Sequence, residues 1–252
     1  MSIELHELSD VDYNALRYEI IANIEGEKNH AYIDSEGYVT IGAGFNMHGS
    51  GVRDDVLQEF FEINEENSPE IYQQLVDIFS QQYEVDARGN PLPGETERLN
   101  NALNAVMETW AQGGDDRPST FVIGDAGGQT WQQRVRAFFE NNFSQEYEDK
   151  VTDFIQNHPV MLENMTALVL PNSKERAALF SLAYNQRDNN WPLLREGLGN
   201  ALEIGDRRAA WFEIRYASNF SNVNGVAKQR FYEPQVYGLY NYGEGKESLL
   251  AH

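Results

Sequence analysis

Ile24-Glu25-Gly26-Glu27-Lys28-Asn29-His30-Ala31-Tyr32-Ile33-Asp34-Ser35-Glu36-Gly37-Tyr38-Val39-Thr40-Ile41-Gly42-Ala43-Gly44 is the stretch on which the reading of this 252-residue chain turns. Upstream of it, residues 8–26 read as a helix. Ser9 suits the N-cap, Asp12 follows three residues on, and Leu16, Ile20, Ile21 and Ile24 recur at helical spacing. Gly26 stops the helix, because glycine readily takes the left-handed conformation past the last turn. Glu25 therefore falls at the helix C-terminus, where the helix dipole disfavours a negative charge. A carboxylic acid kept protonated is what general-acid catalysis requires. Downstream, residues 31–42 alternate about Asp34-Ser35-Glu36-Gly37, a hairpin pattern with Asp34 before the turn and Thr40 after it. Gly42 and Gly44 allow a bend or a close ligand approach. Two carboxylates and a hydroxyl thus come from a helix end and a hairpin, as acid/base hydrolysis of a glycosidic bond needs.

Composition narrows the function classes. With 41% hydrophobic residues the chain buries a sizeable core, and it has no cysteine for a disulfide, thiolate or Cys-based metal site. No apolar run is long enough to span a bilayer, so no membrane insertion is expected. The acidic start, residues 1–14, has no apolar core of a secretory signal. A net charge of −21 argues against nucleic acid, which is held through Lys and Arg. It also denies long-range attraction to anionic wall polymers and leaves recognition to local contacts. His30, His48 and His158 lack ligand spacing, so no metal is expected. Asp10-Val11-Asp12-Tyr13-Asn14 imitates a calcium loop but has Ala15 for the needed glycine and Ile21 for the bidentate glutamate.

Beyond the opening stretch, apolar stripes predict helices over 52–83 and around Leu99, Leu103, Val106 and Trp110. Further helices are expected near 130–142, 145–157, 159–168, 173–187, 192–203, 206–218 and 225–238. The fold class is α+β, a small β-hairpin lobe beside a larger helical lobe.

Spacing alone would leave Glu25 and Asp34 as ordinary members of a set of 40 acidic residues. The whole string carries more. Glu25-Gly26 followed by Tyr32-x-Asp34-x-x-Gly37-Tyr38-x-Thr40-Ile41-Gly42-x-Gly44 resembles the active-site signature of phage-type (bacteriophage T4-like) lysozymes, the muramidases of glycoside hydrolase family 24. Residues 175–185, ERAALFSLAYN, resemble that family's central helix, and Arg215-Tyr216 with residues 224–230 resemble its terminal segment. The likeness covers roughly 10–48 and 129–240. Ile24 and Phe45 stand where family members often carry an acid or similar polar residue and a histidine.

The resemblance implies a lysozyme-like fold. Residues 1–48 would form the N-terminal helix and β lobe with the catalytic residues. Residues 49–128 would be a helical insertion, and 129–252 a helical lobe completing the cleft, all one domain. It implies Glu25 as general acid, Asp34 as ionised partner and Thr40 as the group positioning water, with inversion at the anomeric carbon. Asn46, Tyr184 and Asn185 are the implied substrate-binding residues, and Arg230 the group orienting Glu25. The expected activity is hydrolysis of the β-1,4 bond between N-acetylmuramic acid and N-acetylglucosamine, by a monomer acting on peptidoglycan glycan strands without a cofactor. A catalytically silent, peptidoglycan-binding module is the alternative. The absent signal fits a phage endolysin released by a holin, and equally a bacteriocin or an effector delivered to the periplasm by a secretion system. The charge and the insertion favour a toxin or effector, for which an immunity protein is the expected partner.

Overall fold

The computed structural model describes residues 3, 5–114, 116–158, 160–162, 165–167, 170–185, 191–217 and 233–238. The chain is mixed α and β, mainly helical, with a three-stranded and a two-stranded antiparallel sheet among the described residues. It divides into two compact units. One comprises residues 25–140 and the other 1–24 with 141–252. Among the described residues no helix is long and apolar enough to cross a membrane.

Helix α1, Asp10–Glu25, starts as its sequence predicts. Ser9 Oγ accepts the Asp12 N–H at 3.1 Å and donates to Asp12 Oδ2 at 2.7 Å, which satisfies an amide the helix leaves unpaired. Gly26 follows with φ +77° and ends the helix. Tyr13, Ile20 and Ile24 bury one face against Ala177.

In the 25–140 unit, β1 (Lys28–Ile33), β2 (Val39–Gly42) and β3 (Phe45–Asn46) form the sheet, in that order. Every β2 residue is buried. Gly37 closes the β1–β2 turn at φ +87°, and its N–H donates to the Asp34 carbonyl at 3.1 Å. On the outer side of β1, Val122 bridges His30 and the Ile123 N–H donates to the Asn29 carbonyl at 2.7 Å.

Helices α2 (Ser50–Phe61), α3 (Pro69–Phe79) and α4 (Glu95–Ala111) belong to this same unit. They share an aromatic core with the sheet and with α5 (Trp131–Asn142). Phe61 stacks on Phe121 at 4.2 Å between centroids, and Phe138 meets Phe45 edge-on at 5.1 Å. The 80–90 loop grips the hairpin turn. The Tyr83 N–H donates to the Gly37 carbonyl at 2.8 Å, and the Gln82 amide to the Glu36 carbonyl at 3.1 Å.

The other unit packs α6 (Ser144–Asn157) on α7 (Lys174–Asn185), followed by α8 (Trp191–Glu203), α9 (Arg207–Phe212) and a π-helical turn, Glu213–Ala217. Two buried ionic clusters hold it. Glu148 accepts Tyr13 Oη at 2.6 Å, Arg17 Nη1 at 2.7 Å and Arg176 Nε and Nη2 at 3.0 and 2.7 Å. Glu175, 1% exposed, receives His6 Nδ1 and Arg207. The helix expected over 159–168 is not formed. Val160–Leu162 (β4) pairs antiparallel with Met165–Ala167 (β5) instead. Val160 and Thr166 are β-branched, and the Leu162–Met165 pairing leaves the two-residue spacing of a tight hairpin. Of the helix expected over 225–238, residues 225–232 lie outside the described residues, and 233–237 are helical.

Candidate active site

Local folding gathers four of the candidate residues, Glu25, Asp34, Thr40 and Asn46, about the three-stranded sheet and the end of α1. Register sets Tyr32 opposite Thr40, and Thr40 opposite Asn46, so these three form a row across the sheet. Asp34 lies two residues beyond Tyr32. Its Oδ1 accepts the Glu36 and Tyr38 N–H groups, each at 2.9 Å, and its Oδ2 accepts the Thr40 hydroxyl at 3.3 Å. The two amides fix one oxygen in an Asx-type turn, so the carboxylate plane follows the hairpin rather than solvent. Thr40 is 3% exposed and Asp34 half-buried. Asn46 Oδ1 accepts the His48 N–H at 2.8 Å, which fixes the amide at the end of β3.

Glu25 reaches this row through Gly44. A methyl group at Gly44 would sit 3.0 Å from Glu25 Cγ and 3.4 Å from its Cδ. The backbone at Gly44, with φ +88°, thus packs directly on the glutamate side chain. The last turn of α1 carries no basic residue to offset the negative end of the helix dipole. Tyr32 feels both carboxylates. Its phenol pKa is raised first by burial and then by the charges of Glu25 and Asp34, so it remains a neutral O–H donor. Lys28 Nζ lies 3.9 Å from the centroid of the Tyr32 ring.

Glu25, Asp34, Thr40 and Asn46 therefore belong to one compact unit. Tyr184 and Asn185 end α7 in the other unit, where the Tyr184 ring lies 4.9 Å from that of Tyr147. The Asn185 side chain and Arg230 lie outside the described residues. Two neighbours, Tyr32 and Lys28, were not singled out as site residues in the sequence. Tyr32 shares the strand parity of Asp34, a usable signal; Lys28 carries none, because the β1–β2 register is irregular between Lys28 and Tyr32. Among the described residues no group of three His, Cys, Asp or Glu gathers as a metal set.

Chemically, the arrangement offers one carboxylate fixed by three donors, a second at a helix end, and a buried hydroxyl beside the first. No protein-family model, no curated protein and no solved structure matches this chain.

Proposed function

We propose that this protein is a muramidase of the phage-type lysozyme class, hydrolysing the β-1,4 bond between N-acetylmuramic acid and N-acetylglucosamine in peptidoglycan. The supporting observation is the Asp34 anchorage. Its carboxylate takes the Thr40 hydroxyl on one oxygen and two hairpin amides on the other, in the unit that holds Glu25 against Gly44. Two carboxyl groups with distinct surroundings are what protonation of a leaving group and stabilisation of an oxocarbenium-like transition state call for.

In this reading Glu25 protonates the glycosidic oxygen from the end of α1. Asp34, held as an acceptor, faces the positive charge that develops on the sugar. Thr40, with Asp34, orients the attacking water, and entry of that water opposite the leaving group inverts the anomeric centre. Asn46 pairs with Thr40 at the end of the row, which supports a role in hydrogen-bonding the sugar chain. The test is release of reducing sugar ends from purified peptidoglycan. Wild type releases them, and Glu25→Gln, folded with an unchanged circular dichroism spectrum, does not. Equal release by both removes Glu25 from the mechanism.

A further inference from the structure

An acidic protein that cuts an acidic polymer faces an electrostatic problem at close range. The chain carries −21, and two of its 40 acidic side chains lie in the candidate site. A strand bearing carboxylates is repelled as it approaches such a surface unless a cation is fixed near the bond to be cut. Lys28 meets that need. It opens β1 three residues after Glu25 and pairs across the sheet with Gly42, in the Gly42–Gly44 segment that contacts Glu25. Its ammonium rests 3.9 Å from the centroid of the Tyr32 ring, and among the described residues no carboxylate pairs with it. The phenol of that same ring feels the charges of Glu25 and Asp34, which ties the lysine's platform to the candidate site. Here the ring face holds the ammonium by cation–π attraction, which orders the side chain without neutralising it. Lys28 itself is exposed, so its charge is open to an arriving ligand.

We infer that Lys28, held over Tyr32, is a specificity-determining residue that receives the carboxylate borne by muramic acid. It would thereby select carboxylate-bearing glycan strands over neutral ones. This inference rests on the muramidase reading for its choice of sugar, and concerns recognition rather than bond cleavage. Tyr32 acts as a positioning residue, since it holds the lysine while its own phenol stays neutral.

The test is titration calorimetry with three oligosaccharides. These are a peptide-free tetrasaccharide of alternating N-acetylglucosamine and N-acetylmuramic acid, its carboxyl-reduced counterpart, and a peptide-bearing form. On the Glu25→Gln background, which leaves the sugars uncut, the protein is expected to bind the carboxylate form about fivefold more tightly than the reduced one, the upper scale of a single exposed ion pair. That preference shrinks as ionic strength rises. Lys28→Met removes the preference while affinity for the reduced form stays unchanged, and Lys28→Arg keeps it. A preference confined to the peptide-bearing strand assigns the carboxylate to the peptide and overturns the muramic-acid assignment. Equal affinities for the two forms, or a preference that persists when Lys28→Met is added, overturn the inference outright. Release of reducing ends by wild type is read in parallel. Selective binding without release refutes the muramidase reading and leaves the role of Lys28 in place.

Discussion

Gly44→Ala probes the junction that joins the helix end to the hairpin. Gly44 has φ +88°, and a methyl group there would lie 3.0, 3.3 and 3.4 Å from Glu25 Cγ, Cβ and Cδ. Gly26 provides a matched control. It has φ +77°, but beyond its two chain neighbours a methyl group there meets nothing within 4 Å. Both substitutions force alanine into the left-handed region, at about 1–2 kcal/mol. Reduced freedom of the unfolded chain offsets about 0.4–1 kcal/mol of that. Each variant should thus lose about 1 kcal/mol, or about 2–4 °C in Tm. Gly44→Ala also presses across the fold on Glu25, whose flexible side chain gives way by some tenths of an ångström. The contact therefore adds little to the stability loss but moves the proposed general acid. Misplacement of a catalytic group by about 1 Å can cost about a hundredfold, so a smaller shift should cost about tenfold. The assay pairs thermal unfolding with initial rates of peptidoglycan digestion. Similar Tm losses with a tenfold activity gap between the variants are expected. Gly44→Ala as active as Gly26→Ala would refute the claim that the Gly44 backbone positions Glu25.

Other outcomes follow from single contacts. Thr40→Val keeps the shape of a 3%-exposed side chain but removes the hydroxyl from Asp34. A stability loss of about 1 kcal/mol in denaturant melts is expected, with a disproportionate fall in kcat on peptidoglycan. Glu148→Gln leaves the buried Arg17 and Arg176, 5% and 8% exposed, without their shared carboxylate. It should cost about 3–5 kcal/mol, read as a lowered urea midpoint. Burial raises the Tyr13 and Tyr237 phenols above their ordinary value of 10.0, with the Glu148 charge as a further cause at Tyr13. The folded state therefore holds protons that the unfolded chain loses above pH 10. Stability is intact below that pH and falls above it, by at most about 1.4 kcal/mol per pH unit for each tyrosine. Denaturant melts from pH 9 to 11.5 check this, and Tyr237→Phe should flatten the slope.

The hairpin was legible because its signals are local. Asp34 and Gly37 meet the demands of one turn, and Thr40 follows at a spacing that a two-stranded register preserves. The capping of α1 by Ser9 and its stop at Gly26 were legible for the same reason. The 159–168 stretch misled because its apolar residues satisfy helical spacing as well as strand pairing, and partner contacts decide between them. The grip of Tyr83 on Gly37 joins residues 46 positions apart through backbone atoms, which leave no mark in side-chain pattern. Lys28 was equally silent, since its place over Tyr32 depends on the irregular register within β1. Placement fixed by a turn can thus be read from the chain, and placement fixed by tertiary packing cannot.

Mass spectrometry of the muropeptides released from purified peptidoglycan tests the central claim most directly. Wild type should yield fragments ending in reducing muramic acid, and Glu25→Gln should yield none. Fragments ending in anhydro-muramic acid, or free stem peptides with intact glycan strands, would contradict the assignment of Glu25, Asp34 and Thr40 to hydrolysis of the muramyl bond.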